Sequence, residues 1–170
     1  MQMEATLDTG PTFLVAREPI RPDDTVGSLE PRLAALGAPL LIETLDRLES
    51  KTITATPQGE NGVTLAPPVT REMGFLDPTI EDAAALYRRL HGVTPRPGAY
   101  IQIGDRTVKV LTAQVEAGGT EVAPGAIAAI RKDGIVLATR GGLLVLTQVQ
   151  PEGRGPMSAA DFARGARLAV

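Results

Sequence analysis

The sequence has no cysteine and no tryptophan, and only one histidine, two tyrosines and three phenylalanines among 170 residues. Without cysteine there can be no disulfide and no thiolate nucleophile or metal ligand, although the compartment stays open. The lone histidine has no carboxylate pair at ligand spacing beside it, so no metal is expected. No apolar run approaches the roughly 20 residues that cross a bilayer, so no membrane partner is expected. The opening Met1-Gln2-Met3-Glu4 carries neither a basic nor an apolar leader segment, so no secretory signal is visible. What remains is ordinary globular composition, 43% hydrophobic and 22% charged, with enough chain for one or two cores.

The two halves differ in charge. Residues 1–78 hold 6 Lys/Arg against 12 Asp/Glu, whereas residues 79–170 hold 11 against 8. An anionic partner would therefore choose the second half, though an excess of three charges also suits a mildly basic solvated surface.

Residues 12–16 form a short apolar run of strand length after the turn-prone Asp8-Thr9-Gly10-Pro11. Val26, Leu29, Leu33, Leu36 and Leu40, continued by Leu41, Leu45 and Leu48, mark one face of a helix capped by Asp24 or Thr25. Pro39 should kink or split it. Residues 51–78 lose all periodicity around Pro67-Pro68 and read as a linker. A short helix over residues 79–90 is expected, with Ile80, Ala83, Ala84 and Tyr87 on one face and Arg88-Arg89 near its C-terminus. From Pro97 the pattern becomes β, with strands expected at 99–103, 106–115, 126–131, 135–139 and 143–149 and tight turns at Gly104-Asp105, Lys132-Asp133-Gly134 and Gly141-Gly142. Five short strands that must hide their edges predict a small closed barrel of the OB type. Ser158 to Phe162 reads as a final capped helical turn. The fold class is thus α+β: strand, turn and helix over residues 1–50, which the resemblance below implies to be the end of an α/β core, a linker, and a five-stranded OB-like barrel within residues 79–170.

Leu7-Asp8-Thr9-Gly10 is the first segment that bears on chemistry. It fits half of an aspartic-protease dyad, but that fold is nearly all β, and a long helical ladder follows here. It also fits a plain turn.

The chain as a whole resembles the C-terminal portion of methionyl-tRNA formyltransferases. Met1-Gln2-Met3 and Leu7-Asp8-Thr9-Gly10-Pro11 resemble the end of that family's catalytic core. Asp23-Asp24-Thr25-Val26-Gly27-Ser28-Leu29 and Arg32-Leu33-Ala34-Ala35-Leu36-Gly37-Ala38 resemble its closing helix. Ala66-Pro67 resembles the linker signature, and Pro95 with Pro97-Gly98-Ala99-Tyr100 the entry to the C-terminal domain. Gln150-Pro151-Glu152-Gly153 with Met157-Ser158-Ala159-Ala160-Asp161-Phe162 is the most specific match.

The resemblance implies a cytoplasmic transferase that moves a formyl group from 10-formyltetrahydrofolate to the α-amino group of methionine on initiator tRNA. Asp8 matches the family's catalytic Asp, which orients and ionises a His during breakdown of a tetrahedral intermediate. Glu4, Ala5, Thr6 and Leu7 would approach the folate ring. The family's Asn, His and Ser-Leu-Leu-Pro loop have no counterpart in these residues. His91, at the end of the short helix, is read as structural or solvent-exposed and not as that His. The chain alone is therefore expected to be inactive and to need a partner segment; a fragment, an internal start and a truncated gene all fit a chain that opens in mid-strand.

Arg88, Arg89, Arg96, Arg106, Lys109, Arg131, Lys132 and Arg154 are the candidates for tRNA phosphate contacts, with ordinary surface charge as the alternative for each. So few aromatics make shape and backbone recognition the expected mode, not base stacking. Three positions depart from the family: Pro68 replaces a Lys, Arg96 a Trp, and Gly155 the second residue of a basic pair begun by Arg154. A free-standing RNA-binding module and a non-functional remnant remain alternative readings. Phe13, Leu14, Val15 and the leucine ladder should leave an apolar face on residues 1–49, with self-association as the expected consequence.

Overall fold

The computed structural model describes residues 1–119 and 121–169. They form two compact units, Met1–Pro68 and Val69–Val170.

The first unit is built around α1, Val26–Glu49. Thr25 starts it with a reciprocal capping box: its hydroxyl accepts the Ser28 amide at 3.2 Å, and the Ser28 hydroxyl accepts the Thr25 amide at 3.0 Å. Asp24 receives two nitrogens of Arg32, at 2.6 and 2.7 Å, and Arg32 Nε also reaches Glu18 at 2.7 Å. These bonds tie the chain before the helix to its second turn. The expected split at Pro39 does not occur, and α1 runs through both Pro31 and Pro39. Each proline removes one amide donor, and the rest of a 24-residue ladder remains. No residue of α1 is buried. Leu41, Ile42 and Leu45 are more than half exposed. Ahead of the helix, Thr12 pairs with Thr56 in an antiparallel bridge, with N···O distances of 2.9 and 2.7 Å.

The second unit carries the core. Its strands are β1 (Ala99–Ile103), β2 (Arg106–Glu116), β3 (Ile127–Ile130), β4 (Ile135–Ala138), β5 (Leu143–Pro151) and β6 (Met157–Ser158). The order is β1-β2-β5-β4-β3, with β6 on β5, and every pairing between named strands is antiparallel. The five expected strands are all present, but the closed five-stranded barrel is not. Among the described residues the sheet has six strands, and β1 and β3 stand at the two ends of an open path. Its edge is protected in another way: Phe75 forms a parallel bridge to Tyr100, and the Leu76 amide donates to the Tyr100 carbonyl at 2.8 Å.

Two helices complete the packing, α2 (Ala83–Val93) and α3 (Ala159–Ala166). Asp82 and Ser158 cap them, each side chain accepting the amide three residues on. The buried face of α2 is Ala83, Leu86, Leu90 and Val93. The helix begins later than residue 79, so Ile80 lies outside it at 62% exposure, and of the face on which Ala83, Ala84 and Tyr87 lie only Ala83 is buried. Leu86 and Leu90 offer more apolar area to the sheet, and burying each contributes about 1.5–3 kcal/mol. They meet Ile101, Val108, Val110, Leu144 and Leu146 from the strands, with Leu76 and Phe162.

Candidate functional site

The first unit carries the Asp8 turn, and the second carries the candidate cations. In the first, Asp8 sits in a turn in the left-handed conformation, φ +57°. Thr9 and Thr6 close the turn through their hydroxyls at 2.5 Å, and Thr9 Oγ1 also donates to the Thr6 carbonyl at 3.3 Å. Gly10 is buried where a side chain could not fit: a Cβ there would lie 1.8 Å from the Gln2 carbonyl oxygen. The Gln2 amide, in turn, donates to the Pro11 carbonyl at 2.9 Å.

From the opposite side comes Gln58. Its Nε2 donates to the Asp8 carbonyl at 2.9 Å and to the Gly10 carbonyl at 2.7 Å. Among the described residues no hydrogen bond reaches the Asp8 carboxylate, which stands in the open, able to accept from an imidazole. Glu4, Ala5, Thr6 and Leu7 are all exposed, Leu7 at 93%.

The eight candidate phosphate ligands differ in what already holds them. Arg89 is held by Glu81 at 2.7 Å and donates to the Met73 carbonyl at 3.4 Å. Arg131 makes two bonds to the Glu116 carboxylate, at 2.8 and 3.0 Å. A cation already matched in this way has less to gain from a phosphate. Arg88 is exposed on α2, Lys132 in the turn after Arg131, and Arg96 just before β1.

Arg106, Lys109 and Arg154 share one end of the β2–β5 ladder. Lys109 is the register partner of Gln150, whose side-chain amide donates to the Arg154 carbonyl at 3.0 Å. Arg106 and Arg154 line a cleft of about 50 Å³ with Met157, Asp161 and Phe162. Asp161 in that wall is held below the usual carboxylate range, first by the Ser158 hydroxyl and then by Arg164.

Lys109 lines a separate groove of about 430 Å³ with Arg71, Tyr100, Thr107, Gln150 and Glu152. The lysine stem lies over Gly98, where a Cβ would come within 2.7 Å of Lys109 Cε. Gly98 has φ +90°, which favours glycine there, whereas the flexible lysine end could move aside. Tyr100 is backed by Phe75, ring centroids 5.5 Å apart. His91 instead packs its ring on Tyr87 at 4.2 Å, well away from the Asp8 turn in sequence and in the other unit.

Sequence reasoning missed Arg71 and Gln58. Both lie in the aperiodic stretch, and only the pairing of Thr12 with Thr56 signals that Gln58 meets the turn.

Comparison with known proteins places the chain in a family. Residues 68–167 match the family model for the formyl transferase C-terminal domain. A methionyl-tRNA formyltransferase of Halorhodospira halophila is 43% identical over 168 residues, which cover 99% of this chain and 54% of the relative. One from Thermus thermophilus is 46% identical over 165 residues, covering 97% and 52%. The chain spans about half the length of the curated relatives it matches. Among solved structures, a HypX variant from Aquifex aeolicus superposes on 94% of this chain and 29% of its own length, with TM-score 0.63 and 19% identity. HypX in complex with tetrahydrofolic acid covers 72% of this chain and 22% of its own, with TM-score 0.53 and 22% identity. At that identity the likeness is one of fold.

Proposed function

The chain belongs to the formyl transferase family by its C-terminal domain, and on that premise we propose that it serves as the C-terminal part of a methionyl-tRNA formyltransferase. The observation that supports this best is the match to such enzymes over 97–99% of the chain, with the Asp8 turn inside the matched region.

In the proposed reaction the methionyl amine attacks the formyl carbon of 10-formyltetrahydrofolate. The resulting tetrahedral intermediate collapses, the bond to the folate N10 breaks, and a proton passes from the attacking amine to the leaving nitrogen. Asp8 orients the imidazole that stabilises this intermediate and helps move the proton. Leu7 and its neighbours form one side of the folate site. Residues 1–50 act as the end of a Rossmann-like core and residues 79–170 as the tRNA-binding part, in the cytoplasm. Because no residue here matches the family's Asn and His, catalysis requires the segment that the relatives carry upstream, and the chain alone is inactive.

The same reading assigns tRNA phosphates to the cations at the β2–β5 end, Lys109, Arg154 and Arg106, the last paired only with the exposed Asp105 at 3.8 Å, ahead of Arg89 and Arg131, which carboxylates hold at 2.7 and 2.8 Å. That cluster also supports a second reading, an RNA-binding module without chemistry. The exposed leucines of α1 support self-association in the absence of another covering surface.

The test is complementation. The chain is mixed with the separately expressed upstream half of the Thermus thermophilus relative, and formyl-methionyl-tRNA is measured. Product that disappears with Asp8→Asn supports the enzyme. No product, with salt-sensitive tRNA binding by the chain alone, supports the module. Neither product nor binding leaves a remnant.

A further inference from the structure

The geometry points to Gln58 as the positioning residue of the Asp8 turn. The inference rests on the reading of Asp8 as the reaction's carboxylate, and on three independent features of the first unit.

The first is register. Thr12 and Thr56 are antiparallel partners, so counting two residues outward on each side sets Gln58 opposite Gly10. The residue opposite is one that cannot carry a side chain, because Gln2 occupies the space its Cβ would need. The Gly10 carbonyl is thereby left within reach of the carboxamide.

The second is donor geometry. One Nε2 carries two hydrogens, and both are used, on the Asp8 carbonyl at 2.9 Å and the Gly10 carbonyl at 2.7 Å. The two acceptors lie on either side of Thr9, so the single amide spans the turn. A side chain of similar size without two donors cannot do this.

The third is need. Asp8 holds a left-handed conformation, which a residue with a Cβ adopts at a cost of order 1 kcal/mol. The Thr6–Thr9 bonds close the turn from inside, but both residues are exposed. Gln58 supplies a side-chain tether from a distant segment, 48 residues from Gly10. Through it, the stretch that follows α1 fixes where the Asp8 carboxylate points.

The first measurement is NMR on the intact chain, reading the Cα and Cβ shifts and the amide–Hα coupling of Asp8, which report a left-handed residue. Gln58→Ala and Gln58→Glu are expected to lose that signature at neutral pH, while the helical circular dichroism of α1 stays as in the parent. Glutamate has the same shape, but its carboxylate repels both carbonyls. Below about pH 4 it gains one O–H donor. The signature should then return in part for Gln58→Glu and not for Gln58→Ala, each judged against the parent at the same pH. A residue acting by bulk alone would be replaced by glutamate at every pH. A retained signature in Gln58→Glu at neutral pH therefore overturns the inference.

The second measurement uses the complemented mixture. Gln58→Ala should lower kcat about ten- to a hundred-fold with KM for tRNA unchanged, as expected when a reacting group is displaced by a fraction of an ångström to an ångström. Unchanged kcat removes the positioning role. If the parent mixture makes no product while the NMR signature follows Gln58, the catalytic reading fails and the tether stands.

Discussion

Gly74 meets Gly98 so closely that a Cβ on Gly74 would lie 2.3 Å from the Gly98 carbonyl oxygen. Gly74 ends the 3-10 turn Glu72–Gly74, and Gly98 leads into β1. Their contact sets Phe75 and Leu76 against the β1 edge and protects it, while Gly98 itself lies under the Lys109 stem in the groove. One glycine pair thus links the domain's stability to its candidate binding groove.

Gly74→Ala must shift backbone and should cost about 1–3 kcal/mol, read as a lower urea midpoint. Gly92, inside α2 with open space where a methyl group would stand, is the matched control. Gly92→Ala should raise stability by up to about 1 kcal/mol through helix propensity.

The first unit should weaken in acid. The Arg32 guanidinium, followed by the Arg21 amide, holds the Asp24 carboxyl well below its usual range. A carboxylate depressed in the folded state contributes stability above its unfolded value, about 3.9, and loses it as pH falls through the folded value. Asp24→Asn should therefore be less stable than the parent at pH 6, and the gap should close progressively below about pH 4. Denaturation of both proteins along a pH series, followed by helical circular dichroism, checks the sign.

Phosphate contacts reveal themselves through salt. Titration of initiator tRNA at several salt concentrations should give a log–log slope that falls by about one in Lys109→Gln, with weaker binding at every concentration. Arg131→Gln should change both quantities less, since its guanidinium is already engaged by Glu116. Equal effects from the two variants would remove the preference for the β2–β5 end.

Sedimentation tests the exposed helix. The parent should associate at micromolar concentration through α1, and the double variant Ile42→Glu with Leu45→Glu should sediment as a monomer with unchanged helicity. Both positions are more than half exposed, so the charges enter without a burial penalty. A monodisperse parent monomer would end the idea.

The sequence by itself determined most local elements, although the strand expected at residues 12–16 is reduced to a bridge at Thr12. The 3- and 4-residue spacing of leucines specified α1, and alternation between glycine turns specified β1 to β5 to within a residue or two at most ends. Asp8-Thr9-Gly10 and the Met157 to Phe162 segment carried the family resemblance, because short-range order of residues is what such motifs record. These features depend on neighbours within one turn or one hairpin.

Tertiary structure alone decided the rest. Whether five strands close depends on what covers β1, and the answer lay in Phe75 and Leu76, hidden in a stretch without periodicity. Which face of α2 turns inward depended on the sheet it meets, which selected Leu86 and Leu90 over Ile80. Arg131 is indistinguishable from Lys109 in a sequence until Glu116 is found beside one and not the other. Gln58 reaches Asp8 only because two extended segments 44 residues apart pair at Thr12 and Thr56. Contacts between distant segments follow from packing and hydrogen-bond satisfaction across the whole unit, and no local pattern in the chain encodes them.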